Sequence, residues 1–209
     1  MKIKKLLLYN LWLILIFSIA FVGCSSDSTS NKDDGTTISD ASVSGWNAFK
    51  AGNYQEAIGY FDTALSDNPN EFAAHLGLAW SYSKLGEIAT AYDYFDSADD
   101  LNISSNDLYA GMAFAELVLG LYDNSIVHAS MAISNEANWS FTYNSPSIGI
   151  DLDYKDLQLC MAQDYFWLGD FDGSLTEVQK LNASFNADVS TSDGQQALHE
   201  EIMRLRGVI

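Results

Sequence analysis

Proline and cysteine are nearly missing from this chain: two of each occur among 209 residues. Every interior proline would remove a helix hydrogen bond, so their scarcity leaves long stretches free to stay helical. Two cysteines, Cys24 and Cys160, cannot build a disulfide framework. Basic residues are scarce as well, 10 Lys and Arg against 28 Asp and Glu, for a net charge of −18. That field repels nucleic acid and anionic headgroups at long range, which argues against a nucleic-acid partner. Its ordinary role is to keep the surface soluble. No His-Glu-x-x-His, Gly-x-Ser-x-Gly or phosphate-loop pattern occurs. His75, His128 and His199 share no metal-ligand spacing. Asp151, Asp153 and Asp156, and Asp170 and Asp172 before Gly173, lack the bidentate Glu that completes a calcium loop. They read as helix starts with favourable dipole contacts. The sequence therefore predicts no catalytic residues, no metal, no cofactor and no enzyme activity.

What is present is a period. Glycines stand at 52, 86 and 120, each 34 residues after the last. Tyr54, Ile88 and Tyr122 follow two residues after each glycine, and small Ala57, Ala91 and Ser125 five after. Phe61 and Phe95 come nine after, then Ala64, Ala98 and Ala132 twelve after. Gly169 restarts the pattern with Ala162, Leu168, Phe171, Ser174 and Leu181 after a 15-residue insertion near 138–152. Apolar spacings of three and four predict helices near 40–51, 54–66, 71–85, 88–101, 105–119 and 122–135, with Asn70 and Ser105 as N-caps. Leu198, Ile202 and Leu205 predict one more helix near the end. Cys160, on an apolar helix face, reads as a small buried hydrophobe. Glu116 takes the place held by tyrosine at 82 and 165, so it needs a partner or solvent.

This 34-residue self-similarity resembles the tetratricopeptide repeat (TPR) family. The resemblance implies an all-α fold: a right-handed superhelix of about four helix-turn-helix repeats with a C-terminal capping helix. The expected organisation is three repeats over 39–137, an aromatic insertion over 138–152, a fourth TPR-like repeat over 153–186 and the capping helix over 187–209.

Ahead of the repeats, Lys2, Lys4 and Lys5 precede an apolar run that ends at Gly23. This is the layout of an export signal. Phe21-Val22-Gly23-Cys24 resembles the lipobox of bacterial lipoproteins, in which the cysteine is lipidated and becomes the first residue. The expectation is a signal peptide over 1–23, lipidation (palmitate among the acyl groups) at Cys24 and a disordered Ser/Thr/Asp-rich tether over 24–38. Removing the three lysines takes the net charge from −18 to −21. Ser25 next to the cysteine resembles the outer-membrane sorting pattern. The expected location is the bacterial cell envelope, lipid-anchored, at the outer membrane on its periplasmic or surface face.

The TPR resemblance also implies a concave face lined by the first helix of each repeat. Mapped by column, it holds Trp46, Phe49, Leu76, Trp80, Lys84, Phe114, Leu117, Phe166 and Trp167. The Trp46, Trp80, Phe114 column is richer in aromatics than packing requires, which suggests anchors for a peptide. The resemblance thus implies a protein-protein interaction scaffold or assembly factor. The alternative is a glycan- or small-molecule-binding module stacking sugar rings on those aromatics. Competing occupants for the face are the tether and the chain's own 138–152 segment, which carries Trp139, Phe141 and Tyr143.

Overall fold

The computed structural model describes residues 38–207. The signal segment, Cys24 and nearly all of the expected tether lie outside the described residues. From Ser39 onward the chain forms one compact unit.

Among the described residues are nine α-helices and no named strand. They are α1 (Asp40–Lys50), α2 (Tyr54–Asp67), α3 (Phe72–Leu85), α4 (Ile88–Asp99), α5 (Asn106–Leu119), α6 (Tyr122–Asn135), α7 (Tyr154–Leu168), α8 (Phe171–Leu181) and α9 (Ser192–Leu205). Helices pack in consecutive pairs, and each pair packs on the next. The fold is thus an all-α helical-repeat superhelix. Gly86, Gly120 and Gly169 close α3, α5 and α7 with φ of 80°, 78° and 80°. A side chain there would strain a left-handed backbone by roughly 1–2 kcal/mol, which is why the period is written in glycine.

Helix starts are capped as the residue types dictate. The Ser39 hydroxyl accepts from the Ser42 N–H, and the Ser105 hydroxyl accepts from the Leu108 N–H. Asp153 caps α7 in a capping box with Asp156, and Asp170 caps α8. Asn70 does not cap α3, contrary to expectation. Glu71 holds the N-cap position without a side-chain cap bond. Its buried carboxylate instead accepts from the Ser39 N–H at 2.9 Å and the Ser39 hydroxyl at 3.1 Å. That ties the start of α1 to the start of α3. Helix α4 stops at Asp99 rather than 101, because Asn102 turns the chain with φ of 58°.

The core is continuous through α7, and a second cluster of Leu159, Ala162, Val178, Leu198, Ile202 and Leu205 joins α9 to α7 and α8. Between pairs, phenylalanine rings act as wedges. A Cβ added at Gly45 would lie 2.6 Å from Phe61 Cε1, and one at Gly77 would overlap the same ring from the next pair. Phe95 presses in the same way on Gly111 of α5. Both rings are fully buried, so neither has room to yield. Gly111→Ala should therefore lower stability by roughly 1–3 kcal/mol through overpacking, despite a helix-propensity gain of about 0.5–1 kcal/mol. Urea unfolding with an unchanged or higher midpoint would contradict the wedge.

Candidate functional site

The first helices of the first three pairs, α1, α3 and α5, place Trp46, Trp80 and Phe114 at one recurring position. The connection between α6 and α7 runs back across them. Phe141 packs on Trp80 with ring centroids 4.3 Å apart and meets Phe49 edge-on at 6.1 Å. Tyr143 stacks flat on Trp46 at 3.5 Å with the rings 3° from parallel. Trp139 sinks beside α5, where its Nε1–H donates to Asp107 Oδ1 at 2.9 Å. The Thr142 N–H donates to the same carboxylate at 3.3 Å. The Ser145 hydroxyl donates to the Lys50 carbonyl at 2.9 Å, closing a span of 95 residues.

The segment is held internally as well. Phe141 N–H donates to Leu152 O, Ser145 N–H to Ile150 O and Tyr154 N–H to Trp139 O. The Asn144 amide brackets Leu152 by donating to its carbonyl and accepting from its N–H. A short 3-10 turn at Pro146–Ile148 and left-handed Gly149 reverse the chain. Burial pushes the Asp107 carboxyl up, opposed by the hydrogen bonds from Thr142 and Trp139. Burial, helped by the charge of Asp107, raises the Tyr143 hydroxyl.

The residues assigned to the concave face divide accordingly. Trp46 and Trp80 are each 3 % exposed, and Phe49 and Leu76 are buried with them. Phe114 and Leu117 are half-buried at the edge of this cluster. The open ring face of Trp46 that a sugar would stack on is taken by Tyr143. Lys84 is half-buried, and burial lowers its ammonium pKa against the pull of Asp156. Phe166 turns toward Phe171 and His199 in the second core cluster, away from the aromatic column. Trp167 remains 38 % exposed beside it, and Val118, at the matching place on α5, is 61 % exposed.

A cleft of about 560 Å³ lies among Asp153, Asp156, Lys155, Lys180 and Arg204. Its charges are mostly committed. Asp153 and Asp156 cap α7, while Lys180 pairs with Glu177 at 2.6 Å and Arg204 with Glu201 at 2.6 Å. Asp151 and Lys155, of opposite sign, are the lining charges with neither an ion pair nor a capping role among the described residues, and together they favour no ligand of one charge.

Buried acids between α5, α6 and α7 form a second polar feature that the repeat pattern barely signals. Glu116 has the partner its position demanded: its Oε2 lies 2.7 Å from His128 Nδ1, and the Tyr92 hydroxyl donates to its other oxygen at 3.4 Å. Asp164 is fully buried one turn after Cys160. The Ser125 oxygen lies 2.6 Å from Asp164 Oδ2 and 2.9 Å from the Ala113 carbonyl. A hydroxyl has one proton to donate, and both neighbours are acceptors when Asp164 is ionised. Protonated Asp164 resolves the conflict: it donates to Ser125, which donates to Ala113. Burial pushes the Asp164 carboxyl up to about 7. Burial also raises the Cys160 thiol well above its usual range, so it stays protonated, as expected of a packed hydrophobe.

Residues 43–106 match the family model described as tetratricopeptide repeat. The chain is similar to YrrB, a TPR protein with an unusual peptide-binding site, at 11 % identity over 80 % of this chain and 85 % of that one, with a TM-score of 0.58. It is similar to MamA at 16 % identity over 77 % and 88 %, with a TM-score of 0.56. It is also similar to PilW, a widely conserved type IV pilus biogenesis factor, at 17 % identity over 76 % and 65 %, with a TM-score of 0.53. At such identities the likeness is one of fold. No curated protein matches the sequence.

The Asp164 proton gives a pH test. A carboxyl whose pKa rises from 3.8 in a model peptide to about 7 in the fold binds its proton more tightly when folded. Its contribution is therefore most favourable in acid and is lost as pH rises from about 4 through about 7. Asp164→Asn keeps a donor toward Ser125 without the charge. The variant should melt above the wild type at pH 8, with the advantage shrinking toward pH 4. An equal difference at both pH values would contradict the assignment.

Proposed function

The chain is a tetratricopeptide-repeat protein, and from that premise we propose that it serves as a non-catalytic protein-binding scaffold or assembly factor, held at the bacterial cell envelope by lipid on Cys24. The observation that carries the binding reading is the aromatic face of α1, α3 and α5. It accommodates an extended aromatic segment in Phe141 and Tyr143, with Phe114 and Leu117 half-buried at its edge. Preformed superhelical faces of this kind bind extended segments through a few large side chains. YrrB, which has a peptide-binding site, and PilW, a pilus biogenesis factor, agree in kind with this reading. Exposed Val118 and Trp167 extend the first-helix surface beyond the covered column.

The anchoring reading rests on the lipobox resemblance around Cys24. Two or more acyl chains, at about 0.8 kcal/mol per buried methylene, would hold the chain at a membrane stably. The acidic repeats would face away from anionic headgroups, and the tether would give them reach.

In-cell photo-crosslinking from position 118 should capture a discrete protein, while a probe at Val127, exposed on the second-helix side, should not. Metabolic palmitate labelling should be lost in Cys24→Ser. Absence of an adduct at 118 would contradict the binding reading, and label retained in Cys24→Ser would contradict the anchor.

A further inference from the structure

Segment 139–143 occupies the face as an extended ligand would. Trp139, Phe141 and Tyr143 point into the helices while Ser140 and Thr142 stay exposed, the two-residue alternation of an extended chain. The base of the insertion is fixed, since Trp139 and Ile150 are each 1 % exposed in the core. The tip's side chains are buried as well, Phe141 at 2 % exposed and Tyr143 half-buried, and it is the tip's backbone that is held differently. Its backbone hydrogen bonds close on the insertion itself, at Leu152 O and Ile150 O, through bridges that belong to no sheet. Beyond the Asp107 contacts, its one hydrogen bond to the first helices is from half-buried Ser145 to Lys50 O. The indole N–H groups of Trp46 and Trp80 are buried with no acceptor among the described residues, and Tyr143 and Phe141 pack on those two rings. Native proteins rarely leave buried donors unpaired, and an occupant that supplied acceptors would be favoured over one that does not.

We propose that the Phe141–Tyr143 tip is a built-in stand-in for the partner. The face takes an extended peptide with aromatic side chains two residues apart and backbone carbonyls placed to accept from Trp46 Nε1 and Trp80 Nε1, and that peptide displaces the tip. This rests on the binding reading above and adds the chemistry of the ligand and the competition it meets. A tethered competitor acts at an effective concentration on the order of millimolar, so the tip masks the face against weak or incorrect sequences. A free peptide pays for opening through the small fraction of chains that are open.

The test uses the full chain in detergent and a fluorescein-labelled peptide of residues 140–145 (Ser-Phe-Thr-Tyr-Asn-Ser), read by anisotropy. The double variant Phe141→Ser, Tyr143→Ser should bind it at least ten-fold more tightly than the wild type. A peptide with Ser in place of Phe and Tyr should bind neither. A variant with wild-type circular dichroism that binds no peptide, or no more tightly than the wild type, overturns the proposal. If the variant loses its helical signal, hydrogen exchange on the wild type decides instead. The Phe141 and Ser145 amides should exchange at least 100-fold faster than that of Leu78 inside α3, and equal protection overturns the proposal. A protein captured from position 118 together with a failed peptide sinks the stand-in alone. Failure of both sinks the binding reading as well.

Discussion

The wedging of a phenylalanine ring into a glycine notch sets everything else in this molecule. Phe61 fills the space between Gly45 and Gly77, and Phe95 fills the space beside Gly111, with both rings fully excluded from solvent. The glycines let helices of adjacent pairs approach until only a ring fits between them, and the ring's rigidity fixes how far they stand apart. That spacing puts α1, α3 and α5 side by side and lines up Trp46, Trp80 and Phe114. A face built this way is set by hard packing, which resists adjustment. Whatever occupies it must match its spacing.

The insertion matches that spacing through long-range contacts anchored by one buried charge. Asp107 carries the unfavourable burial of a carboxylate and offsets it with donors from Trp139 and Thr142. The pattern recurs: Glu71 holds Ser39, Glu116 holds His128 and Asp164 holds Ser125. These four buried acid side chains join separate elements, whereas buried Glu177 and Glu201 form ion pairs within their own helices. Unpaired, each would be strongly unfavourable. Paired, each specifies which elements meet.

The helices were legible because their ends are local. The 34-residue column of glycines marks left-handed turns that few other residues tolerate, and Ser105 caps the helix it precedes. Asn70 reads as a cap from sequence because a good capping residue beside a helix carries no sign that Glu71 is bound elsewhere. Glu116 announced its need for a partner by departing from its column, but the identity of His128 did not show. The meeting of Tyr143 with Trp46 leaves no local trace, since it depends on a fold that brings residues near 50 and 145 together. The one available signal was the alternation of Trp139, Phe141 and Tyr143, which marks an extended segment with one apolar side. Asp107, in the first turn of α5, looks like any helix-dipole acid until Trp139 is placed on it. Phe166 shared a repeat position with Phe49 and Leu117, yet α9 draws it to the other cluster. Column arithmetic cannot see a capping helix.

The chain's own insertion covers the aromatic face of the first two helix pairs. Proton NMR measures this directly, through nuclear Overhauser effects between the rings of Tyr143 and Trp46 and between those of Phe141 and Trp80. Stacking at 3.5 Å predicts strong cross-peaks and Tyr143 ring protons shifted well upfield by the indole. Random-coil shifts for residues 139–143, with no cross-peak to either tryptophan, would show an open face and contradict the account.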